Sequence, residues 1–157
     1  MARDSAGRFA RSGGQAKAVG DAIRQVIADA VKMLILEIDA NLRETTPVDT
    51  GHARANWVPS IGSPHQGEDD GAAHDQGIAA VLAYQLTQGP GYVSNHVPYI
   101  SALNYGHSKQ APRMFVEAAV DKALATVSQR FAGKIDVSSF DAARGALAVG
   151  RAMMAFQ

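Results

Sequence analysis

The sequence predicts an α+β fold in which a long N-terminal helix and a second long helix pack on a small antiparallel sheet, followed by an extra C-terminal helical segment. Three observations predict it. Apolar residues recur at three- and four-residue steps over residues 16–45 and again over 112–133, the spacing of one helix face. Between these stretches lie two short runs rich in aromatic and β-branched residues, bounded by Gly, Pro, Asn and Asp. The 157 residues, 46% hydrophobic and 19% charged, suit one domain with its own core and not a disordered or fibrous chain.

Residues 1–16 are rich in Arg, Ser and Gly and read as a mobile basic arm. Arg3, Arg8 and Arg11 are its candidate contacts to DNA phosphates, which would be sequence-independent and salt-sensitive. Residues 17–135 form the α+β domain and 136–157 an apolar extension. In the first helix, Ile23, Val26, Ile27, Ala30, Val31, Leu34, Ile38 and Leu42 share one face, and Met33, Ile35 and Leu36 widen it. A helix apolar over so much of its circumference is buried on more than one side, which makes Met33 and Leu36 candidate subunit contacts.

Thr45-Thr46-Pro47 stops this helix, because proline disfavours α geometry in the residue before it. Asp49, Thr50 and Gly51 supply turn chemistry: side-chain oxygens for backbone N–H groups and a glycine free to take φ > 0. Alternation over 53–61 predicts a half-buried strand anchored by Trp57, with Pro59 at an edge or bulge. Residues 62–77 combine glycines, a proline and the acids Glu68, Asp69, Asp70 and Asp75, the composition of an exposed loop. The alanine-rich run 78–88 favours a helix, Gly89-Pro90-Gly91 breaks it, and 92–97 reads as a second strand. Pro98 opens a short turn packed by Tyr99, Ile100 and Leu103 and closed by Gly106. Pro112 then starts the second long helix, which Gly133 ends.

Ser138 or Ser139 caps a last helix over 140–155. Phe140, Ala143 and Leu147 fall on one side of it, Val149, Met153 and Phe156 on another. Apolar on two sides and weakened by Gly145 and Gly150, it needs a partner, so Leu147, Met153 and Phe156 are further candidate subunit contacts.

No reaction assembles from these residues. Lys+Arg and Asp+Glu both number 15, so no net field steers the chain toward nucleic acid or an acidic membrane. With no cysteine there is neither a disulfide nor a thiolate metal site. His52, His65, His74, His96 and His107 lack metal-ligand spacing. His107-Ser108-Lys109 lacks a nucleophile elbow, and the Gly106 segment lacks the glycine spacing of a phosphate loop. No apolar run approaches the roughly 20 residues that cross a bilayer, and the N-terminus lacks a signal-peptide core. The expectation is a soluble protein, intracellular when made, with no catalysis, cofactor, metal or membrane.

Two stretches carry a resemblance. Thr46-Pro47-Val48-Asp49-Thr50-Gly51, followed by Arg54, Asn56 and Trp57 after a long helix, resembles the phage neck or tail-completion proteins of siphophages and their relatives. So does Val97-Pro98-Tyr99-Ile100 through Leu103-Asn104-Tyr105-Gly106-His107-Ser108-Lys109-Gln110-Ala111-Pro112, leading into Phe115-Val116-Glu117-Ala118-Ala119. The match in order and spacing covers roughly residues 20–133; Arg113-Met114 stand where the family often has a second proline or glycine. The resemblance implies helices on a small sheet and a homo-oligomeric ring, commonly of six subunits, around the DNA channel of the virion's head–tail junction. It also implies other neck proteins and the tail tube or terminator protein as partners, packaged DNA nearby, and synthesis in the host bacterial cytoplasm. Pro47, Asp49, Gly51, Trp57, Tyr99, Leu103, Gly106 and Pro112 are the motif residues, and their expected work is structural. Alternatives are a tail terminator capping the tube and, from another class, a DNA-binding accessory protein using the arm. A metal-dependent hydrolase is the remote third.

Overall fold

Helix α1 (Ala2–Thr45) and helix α5 (Phe115–Phe131) run side by side and antiparallel in the computed structural model, which describes residues 2–69, 71–107, 109 and 112–132. Three contacts fix their direction. Lys122 Nζ meets Glu44 Oε2 at 3.0 Å, Asn41 Nδ2 donates to the Ala119 carbonyl at 3.2 Å, and Arg130 lies 3.7 Å from Met33 Sδ. Along this seam Leu42, Trp57, Phe115 and Ala119 are buried together, with Ile38, Val93, Ile100, Leu103 and Val116 packed against them. Burying each large side chain contributes about 1.5–3 kcal/mol, so this cluster is what holds the two helices to the rest of the chain.

The sheet is one antiparallel pair, β1 (Val58–Ile61) with β2 (Gly91–Ser94), in register Val58 to Ser94 and Ile61 to Gly91. Helix α3 (Ala72–Leu82) lies on β1 so closely that a Cβ at Gly77 would overlap the Pro59 carbonyl. Only glycine fits there. The fold is therefore the predicted α+β arrangement of two long helices and a small antiparallel sheet.

Several boundaries differ from the sequence reading. α1 begins at Ala2, not near residue 16, so the backbone of the presumed arm continues the helix. Extending an existing helix avoids the nucleation cost, and Gly7, Gly13 and Gly14 cost only about 1 kcal/mol each. The stretch 53–61 is not one strand. Gly51, at φ 85°, launches a helical turn α2 (His52–Ala55), closed by Ala55 N–H on the Gly51 carbonyl, before β1 starts. The acidic loop ends at Gly71, not at 77, because α3 starts there.

β2 stops at Ser94, not 97: Asn95 Oδ1 accepts the Val97 N–H, and Pro98 has no N–H for a ladder. A short helix α4 (Ile100–Ala102) and a wide helical turn at Leu103–His107 follow, in which Gly106 takes φ 101°. α5 starts at Phe115 and not at Pro112, since Met114 holds a left-handed conformation (φ 61°) that helix cannot continue through. Gly133 and the helix expected over 140–155 lie outside the described residues, as do the side chains of Arg3, Arg8 and Arg11.

Candidate functional site

The first motif stretch works as a hinge-pin inside the core. Thr45 and Thr46 donate their hydroxyls to the carbonyls of Asn41 (2.8 Å) and Leu42 (2.5 Å), satisfying the last turn of α1 where Pro47 ends it. The Trp57 indole N–H then donates to Thr46 Oγ1 at 2.7 Å, with Trp57 only 5% exposed. Asp49 does less than its place in the motif implied. It is exposed, and the hydroxyl of Thr50 accepts the His52 N–H at 3.4 Å.

The second stretch is organised by a residue that sequence reasoning did not single out. Asn104 is buried; its amide donates to Glu117 Oε2 (2.9 Å) and its Oδ1 accepts the Val116 N–H (3.0 Å). Its carbonyl accepts the Met114 N–H at 2.7 Å. One side chain thus caps the start of α5, the task that an N-cap residue performs elsewhere. Its nearness to Gly106 in a segment of turn residues was the available hint. Arg113 Nε donates to the Tyr105 carbonyl at 3.2 Å and closes the same loop.

Leu103 packs on the core as expected, but Tyr99 does not. It is 45% exposed, and Tyr105 at 57% and Met114 at 51% are exposed too, as are Lys109 and Arg113. Pro112 is exposed on the same segment. The left-handed Met114 is a non-glycine residue strained by roughly 1–2 kcal/mol with little burial in return.

A second surface lies at the other end of α5, about 25 Å away for a 17-residue helix. There Met33, Leu36 and Ala40 of α1 and Phe131 of α5 line a groove of about 570 Å³, whose polar lining is Asp29, Lys32, Glu37 and Arg130. The structure thus places Met33 and Leu36 together and half-buried. Leu147, Met153 and Phe156 lie outside the described residues.

The acidic loop carries a polar network instead of plain solvated charge. Asn56 Oδ1 accepts the Asp69 N–H at 2.6 Å, and the Asp69 carboxylate accepts the N–H groups of Ala73 (3.0 Å) and His74 (3.2 Å) at the start of α3. Desolvation pushes the Asp69 pKa up. The backbone N–H groups of Gly71, Ala73 and His74, with His65 nearby, outweigh it and hold the pKa below its ordinary value. His74 Nε2 bonds Asp39 Oδ2 at 3.0 Å, tying α3 to α1, and His52 Nε2 meets Glu68 Oε2 at 2.8 Å. Among the described residues, no group of three or more His, Asp or Glu is gathered to hold a metal, and no helix is long and apolar enough to cross a membrane.

No protein-family model, curated protein or solved structure matches this chain.

Proposed function

We propose that this chain is a structural virion protein of the head–tail junction of a tailed phage, forming a ring around the DNA channel and joining tail to head. The observation that carries the reading is the meeting of the two motif stretches. Far apart in sequence, they supply Trp57, Ile100, Leu103 and Phe115 to one core cluster and leave Tyr99, Tyr105 and Met114 outside it. A cyclic ring needs two different patches per subunit, each meeting the other patch on a neighbour. The exposed Tyr99, Tyr105 and Met114 and the groove at Met33 and Leu36 are offered as two such patches, toward opposite ends of α5. Tyr, Met and Arg are the residue types enriched at interface centres.

In this reading the ring holds six subunits, and the exposed Tyr99, Tyr105 and Met114 or the extension with Leu147, Met153 and Phe156 meets the other neck proteins or the tail tube. The tail terminator role uses the same ring and the same two patches. The reading gives the chain no catalysis and no cofactor. DNA contact by Arg3, Arg8 and Arg11 is tested by salt titration of binding to duplex DNA: contact predicts affinity that falls steeply with salt, and no binding at low salt removes it.

The test of the ring is the double variant Tyr99→Ser/Tyr105→Ser. Both side chains are exposed, so the monomer keeps its helical content and melting temperature while ring formation is lost. A double variant that assembles like the parent would contradict the proposal.

A further inference from the structure

Among the described residues, Asp39 is the one charged side chain in the buried core, at 5% exposure. Its Oδ2 bonds His74 Nε2 at 3.0 Å, and its Oδ1 is buried with no hydrogen-bond partner. Lys32 and Arg43 stand on the same side of α1, but they are engaged elsewhere. Lys32 pairs with Asp29 at 3.6 Å, and Arg43 reaches the Ala55 carbonyl at 3.5 Å. Balancing the Asp39 charge therefore falls to His74.

The charged groups set around His74 are acids, apart from His65 beside Asp69. Asp39 comes from α1, Asp75 Oδ1 lies 3.7 Å from His74 Nδ1 on α3 itself, and Asp69 accepts the His74 N–H at 3.2 Å from the preceding loop. β1, which also packs on α3, carries no titratable residue, and α3 has no Lys or Arg. An ionised carboxylate only accepts, so Nε2 keeps its proton on the bond to Asp39. Nδ1 lies toward Asp75, whose side chain is 90% exposed, and is the atom that exchanges a proton with solvent.

We propose that this pair is a proton-operated latch: protonated His74 holds α3 down on α1 and β1, and loss of the Nδ1 proton to water loosens it. With the ring charged, the buried carboxylate is balanced. With the ring neutral, one hydrogen bond survives, but a negative charge is left out of water without a counter-charge, which is costly. Histidine is the side chain that changes charge near neutral pH. The latch thus acts in the opposite sense to the Asp69 cap, which fails only in acid. Val81, fully buried, keeps α3 attached, so the change is a loosening and not a release. What it frees is the side of β1 under α3, where Gly77 stands against the Pro59 carbonyl. The inference is a property of the single chain and does not rest on the ring.

The test is amide exchange of the full-length protein at about pH 6 and about pH 8.5, each rate divided by its intrinsic value. Protection over residues 72–82 should fall about tenfold at the higher pH, while protection over 115–131 in α5 stays constant. His74→Gln keeps an amide donor for Asp39 but is never charged. It should hold α3 at the parent's high-pH protection at both pH values. Equal protection of α3 in the parent at the two pH values overturns the proposal, as does α5 falling in step with α3. A parent-like pH dependence in His74→Gln also overturns it, since the response would then belong to His52, His65 or His96. If His74→Gln does not fold, the parent measurement decides alone.

Discussion

Trp57 and Thr46 form a buried hydrogen bond, indole N–H to hydroxyl oxygen at 2.7 Å, that joins the strand side of the core to the end of α1. The Thr46 hydroxyl serves twice, since it also donates to the Leu42 carbonyl. Thr46→Val keeps the shape and removes both partners, leaving the indole N–H buried without an acceptor. The expected loss is about 1–3 kcal/mol in urea unfolding. Trp57→Ala, which also opens a cavity, should cost about 3–5 kcal/mol. Native tryptophan emission should be blue-shifted; an emission maximum already at the solvent-exposed position would contradict the burial.

Asn104 should matter more than its exposed neighbours. Asn104→Ala strips the cap from Val116 and leaves the Glu117 carboxylate without its amide donor, for a predicted cost of about 1–3 kcal/mol. Asn104→Asp keeps the acceptor for Val116 but sets a second carboxylate beside Glu117, so it should recover only part of the loss. Denaturant melts of the two variants beside Tyr105→Ala, near neutral in stability, check this ordering.

Met114 is held at φ 61°, so Met114→Gly should relieve strain and leave stability unchanged or raise it by up to about 1 kcal/mol. If the exposed Met114 side chain serves the proposed subunit contact, the same variant should assemble less well. Thermal melts and particle mass, measured on one preparation, separate the two effects.

Asp69 gives the fold a pH dependence of known sign. Its pKa is depressed in the folded chain, so its contribution to stability is present above the unfolded value of about 3.9 and is lost as pH falls through the folded value. Asp69→Ala should therefore lower stability at neutral pH and reduce the loss seen on acidification below about pH 4. Equal acid sensitivity of variant and parent in urea melts from pH 7 to pH 2.5 would rule this out. Glu68→Ser alone should be nearly silent, because its pair with His52 is surface-exposed.

The long apolar periodicities made α1 and α5 legible, and Pro47 marked the end of α1 because its effect on the preceding residue is local. Trp57 was read as a buried anchor from a strand alternation over 53–61; it is buried, but it lies between α2 and β1 and not within a strand. What escaped was set by contacts distant in sequence. Asp69 looked like one more loop acid, yet it caps α3 because Asn56 holds its backbone in place. Asn104 looked like a turn residue until Val116 and Glu117 closed on it. Tyr99 read as core because it sits between proline and isoleucine, while only packing decides that Leu103 turns inward and Tyr99 outward. Of the proposed contact surfaces, Met33 and Leu36 were legible as excess apolar width on α1; the exposure of Tyr99, Tyr105 and Met114 was not.

The measurement that decides the functional reading is the mass and symmetry of the assembled full-length protein, by native mass spectrometry and particle imaging of one sample. A closed ring of about six subunits, with a central opening wide enough for duplex DNA and lost in Tyr99→Ser/Tyr105→Ser, is the predicted result. A chain that stays monomeric at every concentration, or pairs only as a two-fold dimer, would contradict it.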